Sequence, residues 1–192
     1  FPIFHTDACQ AAGYLDLNVT NLGVDLLTLN GSKIYGPKQV GVLYKNKNIK
    51  LVPLLYGGDQ EFGLRPGTEN VAGFIGFAKA LELVNKSKNK EVARLTKLRD
   101  YFIMELLKIK NTSLNGHPTT RLPNNVNISF LGIEGESIML KLDRLGIYVS
   151  TGSACHSLSL EPSHVIMALG QPSEYAHGSL RFTLGQSMTN KD

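Results

Sequence analysis

Apolar residues in this chain come first as short runs and later as helical stripes. Phe1–Phe4, Val24–Leu29 and Val40–Tyr44 are brief, apolar and bounded by turn residues, which is the pattern of buried strands. Gly57-Gly58, Gly63 and Pro66-Gly67 punctuate the long loop that follows. From Thr68 the spacing changes to three and four, and Val71, Phe74, Ile75, Ala78 and Leu81 predict a helix with one buried face. Thr68 suits its N-cap, and Glu69 suits the positive first turn. Residues 85–90, Asn-Lys-Ser-Lys-Asn-Lys, form the most polar stretch and mark the expected domain boundary. A second helix then carries Val92, Leu95, Leu98, Phe102, Leu106 and Ile109 on one stripe. Beyond it the pattern predicts a strand at Val126–Phe130, a helix at Glu134–Leu145 and a Gly/Ser-rich loop at Ser150–Ser159. A short helix at Ser163–Leu169 and a strand at Leu180–Thr183 complete the chain. The order is α/β at first and α+β afterwards.

Composition narrows the class. The 192 residues are 42% hydrophobic and 19% charged, enough burial to offset ordering entropy and exclude intrinsic disorder. No apolar run approaches the ~18 residues of a membrane-spanning helix. The net charge of +4 is modest and its lysines are scattered among acids, so neither nucleic acid nor a membrane is an expected partner. Lysines beside the second helical stripe alternate with Glu91, Asp100 and Glu105, which makes that side a solvated face. Cys9 and Cys155 make no disulfide framework and no zinc site, which points to a reducing, cytoplasmic setting. The chain opens at Phe1 without an initiator Met and closes on Thr189-Asn190-Lys191-Asp192, the start of a helix. The expectation is a piece of a longer polypeptide.

Four positions carry candidate chemistry. Lys33 follows a buried strand within Asn30-Gly31-Ser32-Lys33-Ile34-Tyr35-Gly36-Pro37-Lys38, where a lysine can reach a crevice and form a Schiff base with a carbonyl cofactor. Taken alone, the stretch reads first as an ordinary surface lysine in a turn. Asp7 sits at a strand end, where a carboxylate wants a cationic partner or serves as a cap. Cys155, in Ser150-Thr151-Gly152-Ser153-Ala154-Cys155-His156, has small polar neighbours that leave a thiol accessible, whereas Cys9 sits among alanines as a packing residue. Arg181 interrupts an apolar strand, so it either captures a carboxylate or pairs with an internal acid.

Together these runs resemble a known group. His5-Thr6-Asp7-Ala8-Cys9-Gln10, Gly31-Ser32-Lys33-Ile34-Tyr35-Gly36-Pro37-Lys38, Gly57-Gly58-Asp59-Gln60-Glu61, Leu64-Arg65-Pro66-Gly67-Thr68-Glu69-Asn70, Gly152-Ser153-Ala154-Cys155 and Leu180-Arg181-Phe182 are similar to the cysteine desulfurases. These are fold-type I pyridoxal 5'-phosphate enzymes of the class V aminotransferase group, and the Gly-Ser-Ala-Cys loop resembles the iron–sulfur-assembly branch. The resemblance implies an α/β fold: residues 1–88 as the C-terminal part of the large cofactor-binding domain, with a mixed sheet and helices, and 89–192 as a small α+β domain. It implies that the upstream half and the extreme C-terminus lie elsewhere, and that this piece alone is inactive.

The resemblance also assigns roles. Lys33 would bind the cofactor and shuttle a proton, Asp7 would pair with the pyridine nitrogen, and Gln10 would bond the ring's phenolic oxygen. Asn30 and Ser32 would hold the phosphate, helped by Thr68 of the neighbouring subunit in a homodimer. Arg181 would bind the carboxylate of L-cysteine, and Cys155 would take the sulfur as a persulfide, leaving L-alanine. Sulfur would then pass to an acceptor protein, such as an iron–sulfur scaffold or a tRNA-thiolation protein. Two departures stand out: Asn30-Gly31-Ser32 replaces a Ser-Gly-His or Ser-Ala-His run, and Gln39 replaces the usual glycine after Pro-Lys, so that turn is expected to differ. A selenocysteine lyase, another class V aminotransferase, or a non-catalytic half-protein that binds sulfur acceptors are the alternatives.

Overall fold

The computed structural model describes residues 2–151, 162–189 and 191. It divides into two compact units, Phe1–Asn89 and Lys90–Asp192.

The first unit holds a three-stranded mixed sheet in the order β1 (His5–Asp7), β2 (Leu26–Asn30), β3 (Gly41–Lys45). β1 and β2 are parallel and β3 is antiparallel to β2. A parallel pair needs a crossover, and the connection contains the short helix α1 (Val19–Leu22). Asn18 Oδ1 caps it by accepting from Thr20 and Asn21 N–H, and Gly23 ends it in the left-handed region. The first strand is displaced from the expected Phe1–Phe4. The backbone amide of Phe4 donates to Asp25 Oδ2, and its carbonyl accepts from both Asp25 and Leu26, so ladder pairing begins only at His5. Ile3 and Phe4 are 59% and 54% exposed. β3 was expected to be buried, yet Val42 and Leu43 are 42% and 49% exposed, because this strand forms an edge of the sheet.

The two expected helices are one. α2 runs unbroken through Val71–Leu106, and residues 85–90 are helical. That stretch lacks Gly and Pro, the only strong helix breakers. Flanking pairs Lys79–Glu82, Lys86–Glu82 and Glu91–Arg94 add support at helical spacing. Its N-cap is Asn70, whose Oδ1 accepts from Gly73 N–H at 3.0 Å, and Thr68 lies in the loop before it. The buried face is also rotated from the expected one. Phe77, Ala80 and Val84 enter the core with Ala12, Ile34 and Val40, while Val71 and Ile75 are 63% and 68% exposed.

The second unit is an antiparallel sheet in the order β4 (Thr112–Leu114), β5 (Asn125–Phe130), β7 (Ser179–Thr183), β6 (Ser150–Thr151). Helix α3 (Gly135–Asp143) and the short α4 (His164–Ala168) and α5 (Ser173–His177) complete it. Strand alternation sends Val126, Ile128, Leu180 and Phe182 into a core with Ile103, against side chains of α2 and α3. Phe102 meets Phe182 edge to face at 5.1 Å. The stripe expected on the second half of α2 holds for Leu95, which is fully buried, but Arg99 shares it at 3% exposure. Its guanidinium is satisfied by Asp100 and by the carbonyls of Arg121 and Leu122. Among the described residues, no helix is long and apolar enough to cross a membrane.

Candidate functional site

Parallel pairing places the C-terminal ends of β1 and β2 on one edge of the first unit's sheet. Such edges are where open α/β sheets bind ligands. Asp7 ends β1, and Asn30 ends β2 and opens a 3₁₀ turn, Gly31–Ile34, that carries Lys33. Asn30 Oδ1 nucleates this turn, accepting from Ser32 N–H at 2.8 Å and from Ser32 Oγ–H at 2.6 Å. Gly31 is required there, since a Cβ would lie 2.8 Å from Val40 Cγ1 and 2.9 Å from the Pro37 carbonyl. Burial of Gly31 and Ile34 anchors the turn and leaves Ser32 and Lys33 exposed. In the turn beyond it, Gln39 takes a left-handed backbone at φ 62°. Gln39 thus adopts the backbone that glycine adopts without cost.

Asp7 is held as a carboxylate. Hydrogen bonds from the Cys9 thiol and from Cys9 N–H, the latter at 2.9 Å to Oδ1, lower its pKa from the usual value, and His5 adds to the effect. The Cys9 thiol is pushed up to about 11, first by burial and then by the hydrogen bond and charge of Asp7, against an opposing pull from Lys33. Cys9 Sγ also points to the Thr28 carbonyl at 3.8 Å, and His5 Nε2 lies 2.8 Å from Thr28 Oγ1. Thr28 is the cross-strand partner of Asp7. His5, Asp7, Cys9 and Thr28 therefore meet in one corner, and the charge of Lys33 reaches the Cys9 thiol there. Sequence reasoning took Cys9 for a packing residue and passed over His5 and Thr28. The signals were a lone Thr inside the apolar run Leu26–Leu29, and His5 and Asp7 at the two-residue spacing of one strand face.

Other candidates are placed separately. Gln10 and Thr68 are exposed in the first unit. Arg181 belongs to the second unit, in the middle of β7, with Asn127 and Ser150 as cross-strand partners. It is half-buried, forms no ion pair among the described residues, and keeps its Nε buried without a hydrogen-bond partner. Among the described residues, the internal acid that a structural ion pair would need does not pair with it. Cys155 lies outside the described residues.

Comparison with known proteins covers nearly the whole chain. Residues 2–192 match the family described as aminotransferase class-V. The chain is 57% identical over 190 residues to the cysteine desulfurase IscS of Dictyoglomus turgidum, covering 98% of this chain and 48% of that protein. The cysteine desulfurase IscS of Methanosarcina thermophila is 54% identical, with 98% and 47% covered. Among solved structures, a NifS-like protein superposes with a TM-score of 0.88 at 32% identity, over 98% of this chain and 48% of that one. A NifS-like protein from Rickettsia africae gives 0.89 at 30% identity, over 98% and 50%. The chain spans about half the length of the curated relatives it matches. The mixed α/β fold is that of these enzymes, and a family match running from residue 2 to residue 192 leaves one assignment: this chain belongs to the class V aminotransferases, a pyridoxal 5'-phosphate-dependent family.

Proposed function

We propose that this chain is the lysine- and arginine-bearing half of a cysteine desulfurase that uses pyridoxal 5'-phosphate to convert L-cysteine to L-alanine. The observation that carries the reading is the corner formed by Asp7 and Lys33 at the C-terminal ends of two paired parallel strands. The corner suits the cofactor. Asp7 is a carboxylate anchored on Cys9, which favours a protonated ring nitrogen. Lys33 supplies an exposed amine whose charge acts on Cys9, the residue that holds Asp7. The bound pyridinium ring supplies an electron sink for the substrate's α-carbon.

The chain's own residues divide the remaining work. Lys33 holds the cofactor and, once released, carries the α-proton. Gln10 bonds the ring's phenolic oxygen. Asn30 and Ser32 hold the phosphate, and since both the Oγ–H and the N–H of Ser32 are spent on Asn30 Oδ1, the amide N–H₂ of Asn30, oriented by Ser32, is the donor. Thr68 adds a hydroxyl from the second subunit of a homodimer. Arg181 binds the substrate carboxylate. Cys155 attacks as a thiolate: a bond forms between its sulfur and the substrate sulfur, and the substrate's Cβ–S bond breaks. That electron pair stays on the three-carbon unit, which is protonated and leaves as alanine, and the persulfide on Cys155 then passes to an acceptor protein such as an iron–sulfur scaffold. Relatives named cysteine desulfurase support this reading over the selenocysteine lyase alternative.

Borohydride reduction of the full-length protein followed by peptide mapping tests it. The pyridoxyl label is expected on Lys33, and a label on Lys38 or elsewhere overturns the assignment. This chain purified alone is expected to release no alanine from cysteine; release at the full-length rate would show that the upstream half is dispensable.

A further inference from the structure

The polar face of the second unit's sheet carries a directed hydrogen-bond chain that ends beside Arg181. Ser129 is fully buried and its hydroxyl lies 2.6 Å from the Tyr175 carbonyl. A carbonyl only accepts, so the Ser129 proton is committed to it. Ser129 Oγ must then accept from its second neighbour, Asn115 Nδ2, at 2.8 Å. That fixes which end of the buried Asn115 amide faces Ser129, since the reverse orientation would set oxygen against oxygen. The same Nδ2 lies 2.8 Å from the side chain of Asn127, so the Asn127 atom facing it is the acceptor Oδ1. One backbone carbonyl thus fixes an amide three side chains away.

The consequence falls on Asn127 Nδ2. It points away from Asn115 and donates to no described residue. Asn115 lies beyond the end of β4, on one side of β5, and β7 is the strand on the other side. On β7 the cross-strand partner of Asn127 is Arg181, whose guanidinium has no ion-pair partner among the described residues and whose Nε is unpartnered. We infer that Asn127 is a second carboxylate-recognising donor, its Nδ2–H binding the same substrate carboxylate as Arg181 and selecting amino acids with a free α-carboxylate. A neutral donor held in a fixed orientation adds direction to the charge of Arg181 at little entropic cost. The inference rests on the role proposed above for Arg181.

The test uses the full-length holoprotein and two probes, L-alanine and L-alaninamide, which differ only in the carboxylate. Calorimetric Kd values are compared for wild type, Asn127→Asp and Arg181→Ala. Losing a charge-assisted bond and placing an acid against the carboxylate is expected to weaken L-alanine binding by about tenfold or more in Asn127→Asp. L-Alaninamide binding is expected to stay within roughly threefold of wild type, a selectivity that general misfolding would not produce. If L-alanine binds Asn127→Asp as it binds wild type while Arg181→Ala weakens it, the role of Asn127 is overturned and that of Arg181 stands. If Arg181→Ala leaves L-alanine binding unchanged, the reading of Arg181 falls, and this inference with it. Should Asn127→Asp fail to fold, Asn127→Ser carries the same comparison, and unchanged selectivity there overturns the inference.

Discussion

Ser150 is the cross-strand partner of Arg181, on the two-rung ladder that joins β6 to β7. Thr151 occupies the second rung, opposite Leu180, and Cys155 is only four residues further along the chain. Four residues extend at most about 14 Å. Chain connectivity therefore links the expected sulfur carrier to the strand paired with Arg181.

Cys155→Ser in the full-length protein is expected to abolish sulfur release while L-cysteine still changes the cofactor's absorbance. Arg181→Lys is expected to do the reverse, raising KM for cysteine about tenfold or more by losing the bidentate fork, with a smaller effect on kcat. Mass spectrometry after adding cysteine without reductant reads the carrier directly. An added sulfur on the Cys9 peptide, with the Cys155 peptide unmodified, would refute the mechanism.

Cys9 is expected to resist alkylation. With its pKa near 11, about one thiol in a thousand is ionised at pH 8, and only the thiolate reacts. Iodoacetamide at that pH is expected to label Cys155 well before Cys9. The same shift sets a sign for stability. Its folded pKa is raised, so above the ordinary value of 9.0 the unfolded state loses its proton first, and stability falls as pH rises from there toward about 11. Cys9→Ala is expected to flatten that part of the pH–stability curve. A curve of unchanged slope would count against the buried, neutral thiol.

Gln39→Gly is expected to stabilise the protein by about 0.5–1 kcal/mol. Gln39 is exposed and sits at φ 62°, where a side chain costs roughly 1–2 kcal/mol, partly offset by the greater unfolded freedom of glycine. The midpoint of a urea or thermal transition measures it. A destabilising Gln39→Gly would mean that the side chain makes a contact worth more than the strain.

Period and punctuation determined much of this protein from the sequence alone. Val126–Phe130 alternates apolar and polar residues, and that period of two can be satisfied only by a strand with one buried face, so β5 was legible within a residue. Asn30-Gly31-Ser32-Lys33 was legible as a turn after a strand because Gly31 and the Asn30 side chain act locally. The motif that joins Asp7 to Lys33 was legible only through resemblance, since 26 positions separate them in sequence while a parallel ladder brings their strands together. Tertiary structure decided the rest. Which stripe of α2 is buried depended on where Ile34 and Val40 present their side chains, and Val71, Phe74 and Ile75 had the right spacing on the wrong face. Residues 85–90 read as a break between two helices because they are polar, but polarity alone does not end a helix when neither Gly nor Pro interrupts it. The orientation of Asn127 was the least legible of all. It follows from a Tyr175 carbonyl 48 positions away, through hydrogen bonds that exist only once the sheet has formed.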